Sequence, residues 1–138
     1  MIPLRRDASL VSQILVCAIL ALTGCRANSD SGTSIRGTVY YFSFEVQRMV
    51  GIPEAQIEEY GCKYYIAKDQ FHRALREMGF QNGGYEAGNV RAKILFEAEE
   101  PYFIDAQGFV RHGKEYGKAD KKLFAASLLR AGDARCGH

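Results

Sequence analysis

The chain has 138 residues, with 18 Lys or Arg against 16 Asp or Glu and a formal net charge of +2 at neutral pH. Near-neutrality gives a nucleic-acid partner no bulk electrostatic support, and the length favours one domain with a real but modest core. Four Cys, eight Tyr, eight Phe and no Trp make sulfur and aromatic side chains the informative part of the composition.

Taken in chain order, Arg5 and Arg6 provide a positive start, and Ile14 to Leu22 is an unbroken apolar run. That run is shorter than the roughly 20 residues a bilayer-spanning helix needs, and it has the layout of a secretory signal peptide. Leu22-Thr23-Gly24-Cys25 at its end resembles the lipobox of bacterial lipoproteins. The resemblance implies cleavage before Cys25, acylation of the Cys25 thiol and attachment to a lipid bilayer. Two or three acyl chains, at about 0.8 kcal/mol per buried methylene, hold such a protein on a membrane. Arg26 follows the cysteine, where in that family's sorting rule an Asp retains the protein in the inner membrane. The implied address is therefore the outer membrane, facing the periplasm. The adjacent Arg5 and Arg6 also fit a twin-arginine signal, although Asp7 and Ala8 stand where an aromatic or Leu is expected; either route ends outside the cytoplasm.

On this division, residues 1–24 are the signal peptide, 25–37 a lipidated cysteine with a polar tether, and 38–138 one folded domain. The tether is too polar to order itself. Cys17 departs with the signal and Cys25 is used by lipid, which leaves Cys62 and Cys136. In an oxidising compartment those two are expected to pair, closing a loop of about 75 residues worth about 4 kcal/mol on the chain-entropy model. Neither sits in a CxxC pair, which argues against dithiol redox catalysis.

In the domain, Tyr40, Phe42, Phe44 and Val46 alternate with Tyr41, Ser43 and Glu45, predicting a half-buried strand with the even-numbered set inward. Pro53 opens a short helix that carries Ile57 and Tyr60 and ends at Gly61. Cys62 to Ala67 reads as a second strand. Asp69 is placed to cap a helix bearing Phe71, Leu75 and Met78 and stopping at Gly79. Gln81 to Asn89, with three Gly and two Asn, is a loop. Val90, Ala92, Ile94 and Phe96 form the clearest strand pattern. Tyr102 to Asp105 and Phe109 to His112 flank a glycine-bearing turn, a hairpin signature. Pro101 to Val110 resembles a hairpin of thioredoxin-like periplasmic proteins, but the proline stands closer to Asp105 than in that family and the CxxC is missing, so Asp105 and Gly108 are read as turn formers. Asp120 caps a last helix carrying Leu123, Phe124, Leu128 and Leu129. The expected fold class is α+β: a four- to five-stranded, mainly antiparallel sheet with about three helices packed on it.

Catalytic chemistry finds little support. The three His (His72, His112, His138) have no neighbouring nucleophile, and no Gly-x-Ser-x-Gly turn occurs. No two His or Cys share metal-ligand spacing; Glu97, Glu99 and Glu100 read as a solvated loop, and nothing selects a carboxylate pair from Glu58, Glu59 and Asp105. Neither a cofactor nor a metal is expected. A basic stretch stands out instead: Arg111, His112, Lys114, Lys118, Lys121 and Lys122, with Tyr116 among them, together with Tyr85 in the glycine-rich loop. Exposed Tyr favours contact surfaces. The expected function is a non-enzymatic binding domain with a protein partner in the envelope, acting as an inhibitor or immunity-like protein or as an accessory subunit. Its rivals are a small envelope hydrolase using His112 and Asp105, and a cell-wall binder using the basic stretch.

Overall fold

Period-two apolar segments organise the domain around strands. The computed structural model describes residues 34–81, 83–132 and Cys136; the signal segment, Cys25, the tether up to Thr33 and His138 lie outside them. Among the described residues eight strands form one antiparallel sheet: β1 (Arg36–Tyr41), β2 (Cys62–Ala67), β3 (Leu75–Phe80), β4 (Val90–Leu95), β5 (Tyr102–Asp105), β6 (Phe109–His112), β7 (Glu115–Ala119) and β8 (Leu129–Arg130). Their spatial order is β3-β7-β6-β5-β4-β1-β2-β8. A 3₁₀ turn (Glu54–Gln56) leads into α1 (Ile57–Tyr60), and two further short helices are α2 (Lys68–Ala74) and α3 (Lys121–Ala126). The expected four- to five-stranded α+β sheet is therefore corrected to a mostly β fold with eight strands and three short helices. Among the described residues no helix is long and apolar enough to cross a membrane.

The sheet has a core on each face. On the inner face α2 and α3 bring Phe71 and Phe124 against Val39, Ile66, Ala92, Ile94, Tyr102, Ile104 and Val110. The Phe71 ring meets Tyr102 edge-on at 4.9 Å and Phe96 at 5.6 Å, a geometry that favours aromatic quadrupoles. On the outer face Ile52, Ile57, Val90 and Phe103 form a smaller cluster, with Phe42, Tyr60 and Tyr85 at its edge. In β5, Tyr102 and Ile104 thus face inward while Phe103 faces outward, as strand alternation requires.

Four local expectations are corrected. In β1 the odd-numbered residues Val39 and Tyr41 meet the inner core; Phe42 already packs on the outer cluster, where its N–H reaches the Arg91 carbonyl at 2.8 Å. The helix expected to run to Gly79 stops at Ala74, and Leu75–Phe80 becomes edge strand β3, paired with β7. Register shifts between Leu75 and Glu77 and between Met78 and Phe80 turn both Leu75 and Met78 toward the inner core. A bulged strand thereby reproduces a helix-like spacing of three. Gly117 makes this pairing feasible, because a Cβ there would lie 2.0 Å from the Glu77 carbonyl oxygen. Ala67, not Asp69, precedes the first turn of α2, without a side-chain cap. Asp120 does cap α3, accepting the Leu123 N–H at 2.9 Å, but that helix ends at Ala126 and Leu129–Arg130 pairs with β2 instead.

Cys62 and Cys136 form a disulfide across a sequence separation of 74. The crosslink fastens the chain end to the start of β2, two strands from the middle of the inner core.

Candidate functional site

The antiparallel register sorts the basic stretch onto different sides of the domain. In β6 and β7, Val110 and Ala119 point into the inner core. Arg111 is paired with Tyr116, and Phe109 with Lys118, so these four side chains share the outer face. Tyr85 joins them from the glycine-rich loop, its ring 6.0 Å from that of Tyr116. Phe80 stands opposite Tyr116 in β3 and is 47% exposed. Lys118 extends over the Phe109 ring at 5.0 Å. The result is an aromatic patch along the β3–β7–β6 margin, made of Phe80, Tyr85, Phe109 and Tyr116, with Lys118 beside it and paired in register with Glu77 of β3.

Arg111 anchors the patch from beneath. Its Nε and Nη2 donate to Oε1 and Oε2 of Glu54, both at 2.7 Å, while Nη1 donates to the Gly113 carbonyl at 3.1 Å. Its guanidinium also lies 4.8 Å from the Phe103 ring centroid. Such a planar fork matches a carboxylate in a way Lys cannot. The Tyr85 hydroxyl donates to the same Glu54 oxygen at 2.6 Å. Burial pushes the Glu54 carboxyl up, but the Arg111 fork, the Tyr85 hydroxyl and the Lys93 charge together hold it below the ordinary value of 4.5. Tyr85 moves the other way: burial, and then the Glu54 carboxylate beside it, push its hydroxyl up. Arg111 is therefore a structural partner of Glu54, and its cation is spent within the domain.

The remaining basic residues lie elsewhere. His112 pairs with Tyr102 in register and stacks on its ring at 3.8 Å and 3°, on the inner face; its Nε2 is buried without a hydrogen-bond partner. Lys114 is exposed in the β6–β7 turn. Lys121 donates to the Ala106 carbonyl at 3.3 Å, and Lys122 is exposed on α3. The candidate surface is thus narrowed to Tyr85, Tyr116 and Lys118, and it gains Phe80 and Phe109, which sequence reasoning did not select.

Asp105 and His112 are not brought together. Asp105 shares the outward parity of Phe103, and its carboxylate accepts N–H donations from Gln107 and Phe109 at 2.9 Å each and from Glu86 at 3.0 Å. Burial pushes its pKa up, against the lowering effect of those three N–H groups. It is a fully buried clasp that closes the β5–β6 turn, where Gly108 takes φ +89°, and ties the glycine-rich loop to it. Opposite sheet faces separate it from His112, so the pair cannot act as a catalytic dyad. Among the described residues no three His, Cys, Asp or Glu side chains are grouped to hold a metal ion.

No family model matches the chain, nor does any curated protein or solved structure match it significantly.

Proposed function

We propose that this chain is a lipid-anchored protein of the bacterial envelope whose domain docks a protein partner and catalyses no reaction. The observation that carries the proposal is the Cys62–Cys136 crosslink. Protein disulfides persist in oxidising compartments, which is the address that Leu22-Thr23-Gly24-Cys25 implies by resemblance to the lipobox. Attachment to the membrane that holds the partner suits a docking module, because it raises the effective concentration of the two.

The Phe80–Tyr85–Phe109–Tyr116–Lys118 patch is the surface we assign to that contact. Its composition supports the assignment, since aromatic side chains supply large contact area at low entropic cost. Glu54 and Arg111 hold Tyr85 and the strand beneath it in place, which preorganises the surface. An inhibitor of an envelope enzyme and an accessory subunit of an envelope complex would both use such a face.

Affinity capture from detergent-solubilised native envelope tests the proposal, using the parent chain and a Phe80→Ala, Lys118→Glu double variant. The parent is expected to recover one stoichiometric partner and the variant to lose it. Absence of such a partner, or equal recovery by both chains, would contradict the proposal.

A further inference from the structure

The inner face of the sheet continues past its helices at the β1–β2–β8 corner. Register sets Tyr41 opposite Cys62 and Tyr64 opposite Arg130, and directly opposed residues of an antiparallel ladder point to the same face. Tyr41 and Tyr64 pack on the inner core, so Cys62 and Arg130 share that face with them. A cavity of about 350 Å³ opens at this corner; its lining includes Tyr41, Tyr64, Arg130, the Cys62–Cys136 disulfide, Ser43 and Val46. That volume lies at the small end of the roughly 300–1,000 Å³ typical of ligand sites.

The walls are fastened independently of any ligand. Phe44, next to Ser43, packs on the inner core with its ring 5.3 Å from Tyr41 and 6.2 Å from Phe124, and its N–H donates to the Tyr41 hydroxyl at 3.3 Å. The disulfide ties Cys136 to the start of β2. A site with walls already in place loses little freedom on binding. Its chemistry is divided. Tyr41 meets the Tyr64 and Phe124 rings edge-on, each at 5.9 Å, and such a chain of rings favours one more in the same tilted geometry. Burial pushes the Tyr41 hydroxyl above its ordinary value, as apolar surroundings do. Arg130 is the cation of the lining; it is exposed and, among the described residues, takes part in no salt bridge. Arg111 fills its fork with Glu54, whereas the Arg130 fork is open to a carboxylate from outside.

We infer that this corner is a binding site for a small aromatic carboxylate, with its ring against Tyr41 and Tyr64 and its carboxylate on Arg130. The cavity volume limits the ligand to a small molecule, the three rings select an aromatic body, and one guanidinium balances one negative charge. The site lies on the inner face, away from the docking patch on the outer one, and does not depend on it.

Calorimetric titration of the full chain in neutral detergent tests the inference, with 3-phenylpropionate and its uncharged amide, 3-phenylpropionamide, as probes. The parent is expected to bind the carboxylate in the submillimolar range and the amide about fivefold more weakly, the increment an exposed ion pair supplies. Arg130→Gln should weaken the carboxylate by that factor and leave the amide unchanged. Val46→Trp crowds the wall and should weaken both probes about tenfold. Both positions are exposed, so neither substitution removes core packing. No binding of either probe to the parent, equal affinity for the two, an unchanged carboxylate affinity in Arg130→Gln, or full binding by Val46→Trp overturns the inference.

Discussion

The two faces of the sheet are built on different principles. The inner face is apolar and aromatic: Phe71 and Phe124 are fully buried and touch Tyr41, Phe96 and Tyr102 ring to ring. The outer face mixes a small apolar cluster with ionised groups: the Glu54–Arg111 fork, the Lys93–Glu58 ion pair, the Asp105 clasp and the unpaired Arg91. Dispersion and area burial depend little on pH or salt, whereas the polar face depends on protonation state and counter-ions. The inner face therefore contributes stability that is insensitive to solution conditions, and the outer face contributes stability that responds to pH and salt.

Substitutions on the two faces should separate accordingly. Phe71→Ala empties the centre of the inner aromatic cluster and is expected to cost about 4 kcal/mol, measured by denaturant unfolding. Asp105→Ala strips the acceptor from three N–H groups and should cost about 3 kcal/mol; hydrogen exchange would localise the opening to the glycine-rich loop and the β5–β6 turn.

Glu54→Gln weakens a partly buried fork and should cost about 2 kcal/mol at neutral pH. The pH dependence has a defined sign. The folded Glu54 pKa lies below 4.5, so the carboxylate contributes stability above its unfolded pKa and loses it as pH falls through the folded one. The difference between parent and Glu54→Gln is then constant near neutrality and shrinks below pH 4.5. The Phe71→Ala difference should persist across the same range. Smallest of all, Lys122→Glu replaces an exposed cation in the first turn of α3 with an anion, and should stabilise by about 0.3 kcal/mol.

How far the chain could be read without coordinates follows from which residues carry a periodic signal. The β4 pattern and the β5–β6 hairpin were legible because apolar residues alternate cleanly and Gly108 marks the turn. The disulfide was legible because the lipobox resemblance leaves two cysteines. Strand β7 was hidden: its inward residues are Gly117 and Ala119, too small to show apolar alternation, while its outward residues read as a charged connection. Strand β3 has the sequence pattern of a helix because its bulges place Leu75 and Met78 three apart on one face. Of the proposed docking surface, Tyr85, Tyr116 and Lys118 are legible in the sequence. That Arg111 belongs to Glu54, 57 positions away, is a product of the topology and left no local trace. Arg91 alternates with apolar residues just as Lys93 does, so its burial emerges only when the neighbours are known.

Intact-mass analysis of the protein extracted from bacterial membranes tests the central claim most directly. The account predicts a chain beginning at Cys25, heavier by its acyl groups and lighter by the two hydrogens lost when Cys62 and Cys136 join. A chain that still begins at Met1, carries no lipid and has free thiols at Cys62 and Cys136 would contradict it.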